Sequence, residues 1–164
     1  MGEPGSKRVE RVPWIGTTVQ SEGLMKTLRE RFPLAMDKLV ERALARDRVI
    51  DITTEGRKTG KARRIEIWFF NLDGRFYITG SPGRRSWYAN ILAHPEFTFH
   101  VKGSAKADLP ARARPIVEQG ERREVLTKIQ PLAGTFRELE PWVKGSPLIE
   151  VTFEQPANTK HTSR

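Results

Sequence analysis

The chain has 164 residues, no cysteine, and 29 lysines and arginines against 20 aspartates and glutamates, a formal charge of +9. Lack of cysteine excludes disulfides, a thiol nucleophile and cysteine-built metal sites, and no apolar run is long enough to cross a membrane as a helix. The basic surplus favours an anionic partner: nucleic acid, acidic lipid or a phosphorylated cofactor.

Residues 1–16 are polar, hold Gly and Pro, and read as a flexible arm without the apolar core of a secretion signal. A cytoplasmic location is therefore expected. Residues 17–154 are expected to form one domain, followed by a flexible tail at 155–164. Leu34, Leu39, Val40, Ala43 and Leu44 fall near one face of a helix over 33–46, with Pro33 in its first turn. Strands are expected at Val49–Thr54, Arg63–Asn71 and Arg75–Ser81, the last two joined by an Asp73-Gly74 hairpin turn. Ser86–Ala93 carries Trp87, Ile91 and Leu92 at helical spacing, and His94-Pro95 stops it. Phe97–Val101 alternates as a strand. Leu109–Val117 reads as another, on an edge or at a bulge because of Pro110 and Pro115. A charged helix over Glu118–Ile129 and a strand over Leu148–Phe153 complete the order. Short strands with few helices imply a mainly β, α+β protein with peripheral helices around a closed or half-closed barrel.

Two segments carry the chemistry. The turn Gly56-Arg57-Lys58-Thr59-Gly60-Lys61, followed by Arg63, sits between two strands. Two glycines permit a tight turn, and the cations and the Thr59 hydroxyl suit a phosphate. It is not a P-loop, because no Gly-Lys-Ser/Thr opens a helix. The second segment, Gly80-Ser81-Pro82-Gly83-Arg84-Arg85, leads into the helix at Ser86. A helix N-terminus beside arginines is a second anion-favouring feature. His94 and His100 lack partners at a metal-ligand spacing and read as a cap and a strand surface residue, so no metal is expected. No side chain stands out as catalytic. Trp68, Tyr77 and Tyr88 default to packing.

Together, Thr-Thr-x-Gly-Arg-Lys-Thr-Gly-Lys-x-Arg at 53–63 and Trp-Tyr-x-Asn-Ile-x-Ala-x-Pro at 87–95 resemble the deazaflavin-dependent nitroreductase family. That family lies within the flavin- and deazaflavin-binding split β-barrels, FMN-binding-protein-like, which include the pyridoxamine-phosphate oxidases. The resemblance spans residues 49–153. It implies coenzyme F420, a phosphorylated deazaflavin with an acidic oligoglutamate tail, or FMN as the alternative. It also implies hydride transfer to an unsaturated or quinone-like small molecule. Carried over residue by residue, it assigns Arg57, Lys58, Thr59, Gly60, Lys61 and Arg63 to the phosphate. Ile67, Gly80 and Ser81 fall on the ring side, and Trp87 and Asn90 close the pocket. Arg84 and Arg85 stand near an acidic tail, and Trp68 and Tyr88 stand on the substrate side. The chain departs from the family at Glu66, often proline, at Trp68, often tyrosine, and in a shorter loop around Pro82–Arg85. The tyrosine-rich C-terminal segment of the nitroimidazole-activating member is replaced by Gly134-Thr135-Phe136-Arg137-Glu138-Leu139, so nitro-drug reduction is not carried over. The open alternatives are a cofactor carrier without turnover and a nucleic-acid-binding small barrel. Against the latter, the aromatics cluster in apolar runs, and no nucleic acid is expected. A homodimer is compatible with all of these readings.

Overall fold

The computed structural model describes residues 33–134 and 138–154, with side chains from Lys38 onward. The expected arm, the tail, the Leu34 side chain and residues 135–137 lie outside the described residues. The described elements are α1 Pro33–Arg46, β1 Val49–Glu55, β2 Ala62–Leu72, β3 Arg75–Thr79, α2 Ser86–Ala93, β4 Glu96–Val101, β5 Ala107–Pro115, α3 Gln119–Ile129, α4 Leu139–Gly145 and β6 Leu148–Phe153. A 3-10 turn, Gln130–Ala133, follows α3.

The strands close into an antiparallel barrel in the order β1-β2-β3-β6-β5-β4, with β4 returning to β1. This is the split β-barrel that the sequence implies. Alternation sets the two faces. Ile50 and Ile52 of β1, Phe69 of β2, Ile78 of β3, Phe99 of β4 and Val151 of β6 fill the interior. Trp87 and Ile91 of α2 and Ala43 and Leu44 of α1 join that core. A second core forms where Phe70, Tyr77 and Leu148 on the outer face meet Val125, Leu126 and Ile129 of α3 and Trp142 and Val143 of α4. Two cores explain why adjacent Phe69 and Phe70 are both buried.

The Asp73-Gly74 turn forms as expected. Both residues have positive φ, 52° and 87°, which a two-residue hairpin with matched twist requires. Three expectations change. β3 stops at Thr79, whose hydroxyl donates to the Pro147 carbonyl at 2.6 Å. Strand β5 is not an edge, since it pairs with β4 and β6 on its two sides. Its prolines are tolerated because they sit at the ends of the β6 pairing. Pro115 is the last paired residue, and Pro110 lies one before the first. His100 is buried rather than on the surface. Its Nε2 is 2.7 Å from the Thr53 hydroxyl and its Nδ1 2.7 Å from the Asp108 carboxylate.

Two polar devices bind the α3–α4 face to the barrel. Arg122 is only 6% exposed. Its Nε donates to the Val143 carbonyl at 2.7 Å, Nη1 to Ile116 at 2.8 Å and Nη2 to Ser146 at 2.6 Å. Burial pulls its pKa below the usual arginine value. Two of the acceptors, Val143 and Ser146, lie at the C-terminal end of α4, where carbonyls lack helical partners and the dipole favours a cation, and Ile116 lies in the β5–α3 connection. Around the barrel, Glu150 of β6 accepts from Arg75 of β3 at 2.7 Å and from Arg114 of β5 at 2.6 Å. Arg114 also donates to Glu121 of α3 at 2.6 Å. Burial opposes ionisation of Glu150, but Arg114 and Arg75 outweigh it and hold its carboxyl below the usual range.

Replacing Arg122 with Met should cost roughly 2–4 kcal/mol, because three buried carbonyls lose charged donors. Urea unfolding measures this, and an unchanged midpoint would show that the bonds contribute nothing. The depressed Glu150 pKa stabilises the fold above the unfolded-state pKa of about 4.3 and is lost as pH falls through the folded value. The melting-temperature gap between wild type and Glu150→Gln should therefore be widest at neutral pH and shrink below about pH 4. A gap independent of pH would refute this.

Candidate functional site

The loop between β1 and β2 is tied at its base. The Gly56 N–H donates to the Lys61 carbonyl at 2.8 Å, and the Gly60 N–H donates to the Gly56 carbonyl at 2.7 Å. Gly60 has φ +66°, where a side chain is disfavoured. At Gly56 a Cβ would lie 2.8 Å from Thr59 Oγ1 and 3.1 Å from the Lys61 carbonyl. Lys61 N–H donates to Thr59 Oγ1 at 3.3 Å. The tight base turns the intervening side chains outward.

A cleft of about 380 Å³ opens between this loop and the start of α2. Arg57, Lys58 and Thr59 line it from the loop, and Arg63 and Ile65 line it from β2. Ser86, Trp87 and Asn90 line it from α2. Arg85, at the N-cap of α2, makes no side-chain cap, so the first turn keeps its unsatisfied donors. Among the described residues, Arg57, Lys58 and Arg63 form no ion pair with a carboxylate. Arg57, Lys58 and Arg63 thus stand without carboxylate partners around an apolar-walled opening beside a helix N-terminus, an arrangement whose electrostatics favour an anion.

Asn90, 5% exposed, joins the two walls. Its Oδ1 accepts from the Arg57 backbone N–H at 3.2 Å and from Arg57 Nη1 at 3.3 Å. Its Nδ2 donates to the Thr54 hydroxyl at 3.2 Å. Asn90 therefore orients the loop and the Arg57 guanidinium. Trp87, 8% exposed, both lines the cleft and packs in the barrel core. Its ring meets Tyr88 edge-on at 5.8 Å.

The structure thus brings Arg57, Lys58, Thr59, Arg63, Trp87 and Asn90 together. Gly60 and Lys61 shape the loop without lining the cleft. Ile67 faces the barrel core. Gly80 and Ser81 lie outside the cleft. The Gly80 carbonyl accepts from Trp142 Nε1 at 2.8 Å, and the Ser81 carbonyl accepts from Arg85 Nη2 at 3.4 Å. Arg84 and Tyr88 line a separate pocket. Trp68 stands on the outer face of β2, 47% exposed, opposite the inward Ile65 and Ile67, because strand alternation turns it away. Trp68 therefore does not line this cleft. Thr54, Ile65 and Ser86 were not anticipated. Thr54 carried a readable signal, a hydroxyl at an inward position in line with Ile50 and Ile52. Among the described residues no acidic or histidine cluster could hold a metal.

Changing Asn90 to Asp separates orientation from charge. The variant keeps an acceptor for Arg57, loses the donor to Thr54, and brings a negative charge into the cleft. Inorganic pyrophosphate should bind about tenfold more weakly, with a smaller loss of thermal stability than in Asn90→Leu. Calorimetry and melting curves check both. Equal pyrophosphate affinity in wild type and Asn90→Asp would remove Asn90 from the site.

A family model for the F420H2-dependent quinone reductases matches residues 33–135. Among solved structures, an F420 reductase is 19% identical, with a TM-score of 0.55 over 70% of this chain and 93% of that chain. A Listeria innocua protein provisionally named a pyridoxamine 5′-phosphate oxidase is 11% identical, with a TM-score of 0.55 over 74% of this chain and 94% of that chain. A Bacteroides thetaiotaomicron protein provisionally named a 5-nitroimidazole antibiotic resistance protein is 12% identical, with a TM-score of 0.51 over 74% and 79%. At such identities the structures establish the barrel fold alone, whereas the family match covers more than half of the sequence. With a closed split β-barrel and a family match over residues 33–135, the chain belongs to the F420H2-dependent quinone reductases, a family of oxidoreductases.

Proposed function

We propose that this protein is a reductase that holds the phosphorylated part of F420 in the cleft beside the β1–β2 loop and reduces a quinone-like acceptor. The observation that carries this reading is the set of unpaired Arg57, Lys58 and Arg63 facing the start of α2. Those residues fit the group: a phosphate would meet charge-assisted donors and displace no internal carboxylate. The bound deazaflavin supplies the hydride.

The chain's own residues bind and orient. Lys58 and Arg63 hold the phosphate, and Asn90 fixes the angle of Arg57. Thr59 keeps its hydroxyl proton free to donate, because its oxygen accepts from Lys61 N–H. Ile65 and Trp87 give the cleft an apolar wall that excludes water from the phosphate contacts. Ile67, Gly80 and Ser81 are assigned to the ring side on the family resemblance. Holding donor and acceptor in register is the main rate effect such a site supplies.

The cleft cations recognise phosphate and would serve FMN as well, so cofactor choice is settled by experiment. Lys58→Ala with Arg63→Ala should weaken F420 binding by roughly 1.5–3 kcal/mol for each lost charged contact. Fluorescence titration of the folded double variant reads this, and unchanged affinity would remove the cleft from the assignment. Tighter binding of FMN than of F420 by wild type would redirect the cofactor. Tight F420 binding with no oxidation on adding a benzoquinone or naphthoquinone would favour a carrier.

A further inference from the structure

A second opening, about 450 Å³, shares no lining residue with the cleft. It lies among the Gly83–Arg84 loop, Tyr88 on the neighbouring face of α2, the start of α3 and the C-terminal end of α4. Its lining carries three cations, Arg84, Arg122 and Lys144, and no Asp or Glu. Arg122 is buried, and among the described residues its partners are three neutral carbonyls, with no carboxylate to balance the charge. These bonds use three of the five N–H groups of a guanidinium. Arg84 and Lys144 are exposed and form no ion pair among the described residues. The nearby acids are engaged elsewhere. Glu118 accepts from the Gly120 and Glu121 N–H groups at 2.8 and 2.6 Å, and Glu140 bonds to Arg123 while lying within electrostatic reach of Lys144. The rim is apolar: Val117 is 71% exposed, and Pro147 stands beside it.

Concentrated positive charge over a desolvated cation, with an apolar rim, selects an anion that carries an apolar body. We infer that this pocket binds a small organic carboxylate, its charge met by Arg84, Lys144 and Arg122 and its body by Val117 and Pro147. The inference does not rest on the use of the first cleft. The carboxylate has two sources, a free small molecule or the acidic tail of a bound cofactor.

Full-length 15N-labelled protein titrated with benzoate provides the test, with benzyl alcohol as the uncharged control. Benzoate should shift the Tyr88, Val117 and Lys144 amides and the Arg122 Nε–H, while benzyl alcohol leaves them in place. Arg84→Ala with Lys144→Ala, both surface changes, should weaken benzoate about tenfold per cation removed while the spectrum stays folded. Repeating the titration with F420 bound separates the sources: loss of the benzoate response assigns the pocket to the cofactor tail, and a retained response assigns it to an independent ligand. Shifts confined to Arg57–Thr59, no shift, or equal affinity in the double variant would overturn the site.

Discussion

The Asn90 carboxamide bonds at one end to Arg57 and at the other to Thr54, and the working end of the barrel depends on that bridge. It ties the loop of Gly56–Lys61 to α2, whose start is itself seated in the barrel core by Trp87. A buried amide satisfied on both sides fixes a direction as well as a distance, because a flip would set its NH2 against the Arg57 donors and lose both of those bonds. The Arg57 guanidinium inherits that direction. Arg122 does for the opposite flank what Asn90 does for the cleft, gathering the end of α4 and the β5–α3 connection around one charge. Both are polar groups placed where the apolar cores alone would leave the surrounding segments free to shift.

Barrel closure gives these anchors a stiff base. Each strand pairs on both sides, so displacement of one is opposed by two ladders. The hairpin tip projects from this base, and its cations are held near one another despite their repulsion. An anion would relieve that repulsion.

Much of the barrel was legible in the sequence because strand alternation and turn chemistry are local. Asp73-Gly74 fixed one hairpin, and Gly56 with Gly60 marked another. The cleft cations were legible for the same reason, since Arg57 and Lys58 lie in one turn and Arg63 in the strand that leaves it. What was not legible is set by tertiary contact. Helix α4 is short and carries Pro141, and its place depends on Trp142 and Val143 packing against the outer face of the barrel. The His100 contact to Asp108 joins strands β4 and β5, and its contact to Thr53 reaches across to β1. Arg122 reads in sequence as one more charge on a basic helix, and only its burial distinguishes it.

The closed base of the β1–β2 loop has a consequence for how cofactor preference can change. The bonds from Gly56 to Lys61 and from Gly60 to Gly56 run through the backbone, so they do not depend on the side chains at 57 and 58, whereas Thr59 Oγ1 adds an acceptor for Lys61 N–H. Positions 57 and 58 form an exchangeable cassette, and different charges and sizes can be displayed from one unaltered frame. Gly56 is the position at which the frame tolerates no such variation, because a Cβ there would press on Thr59 and the Lys61 carbonyl. A lineage or a designer can change the charge displayed at the cleft by editing the cassette, provided that Gly56, Gly60 and the Asn90 bridge are left in place.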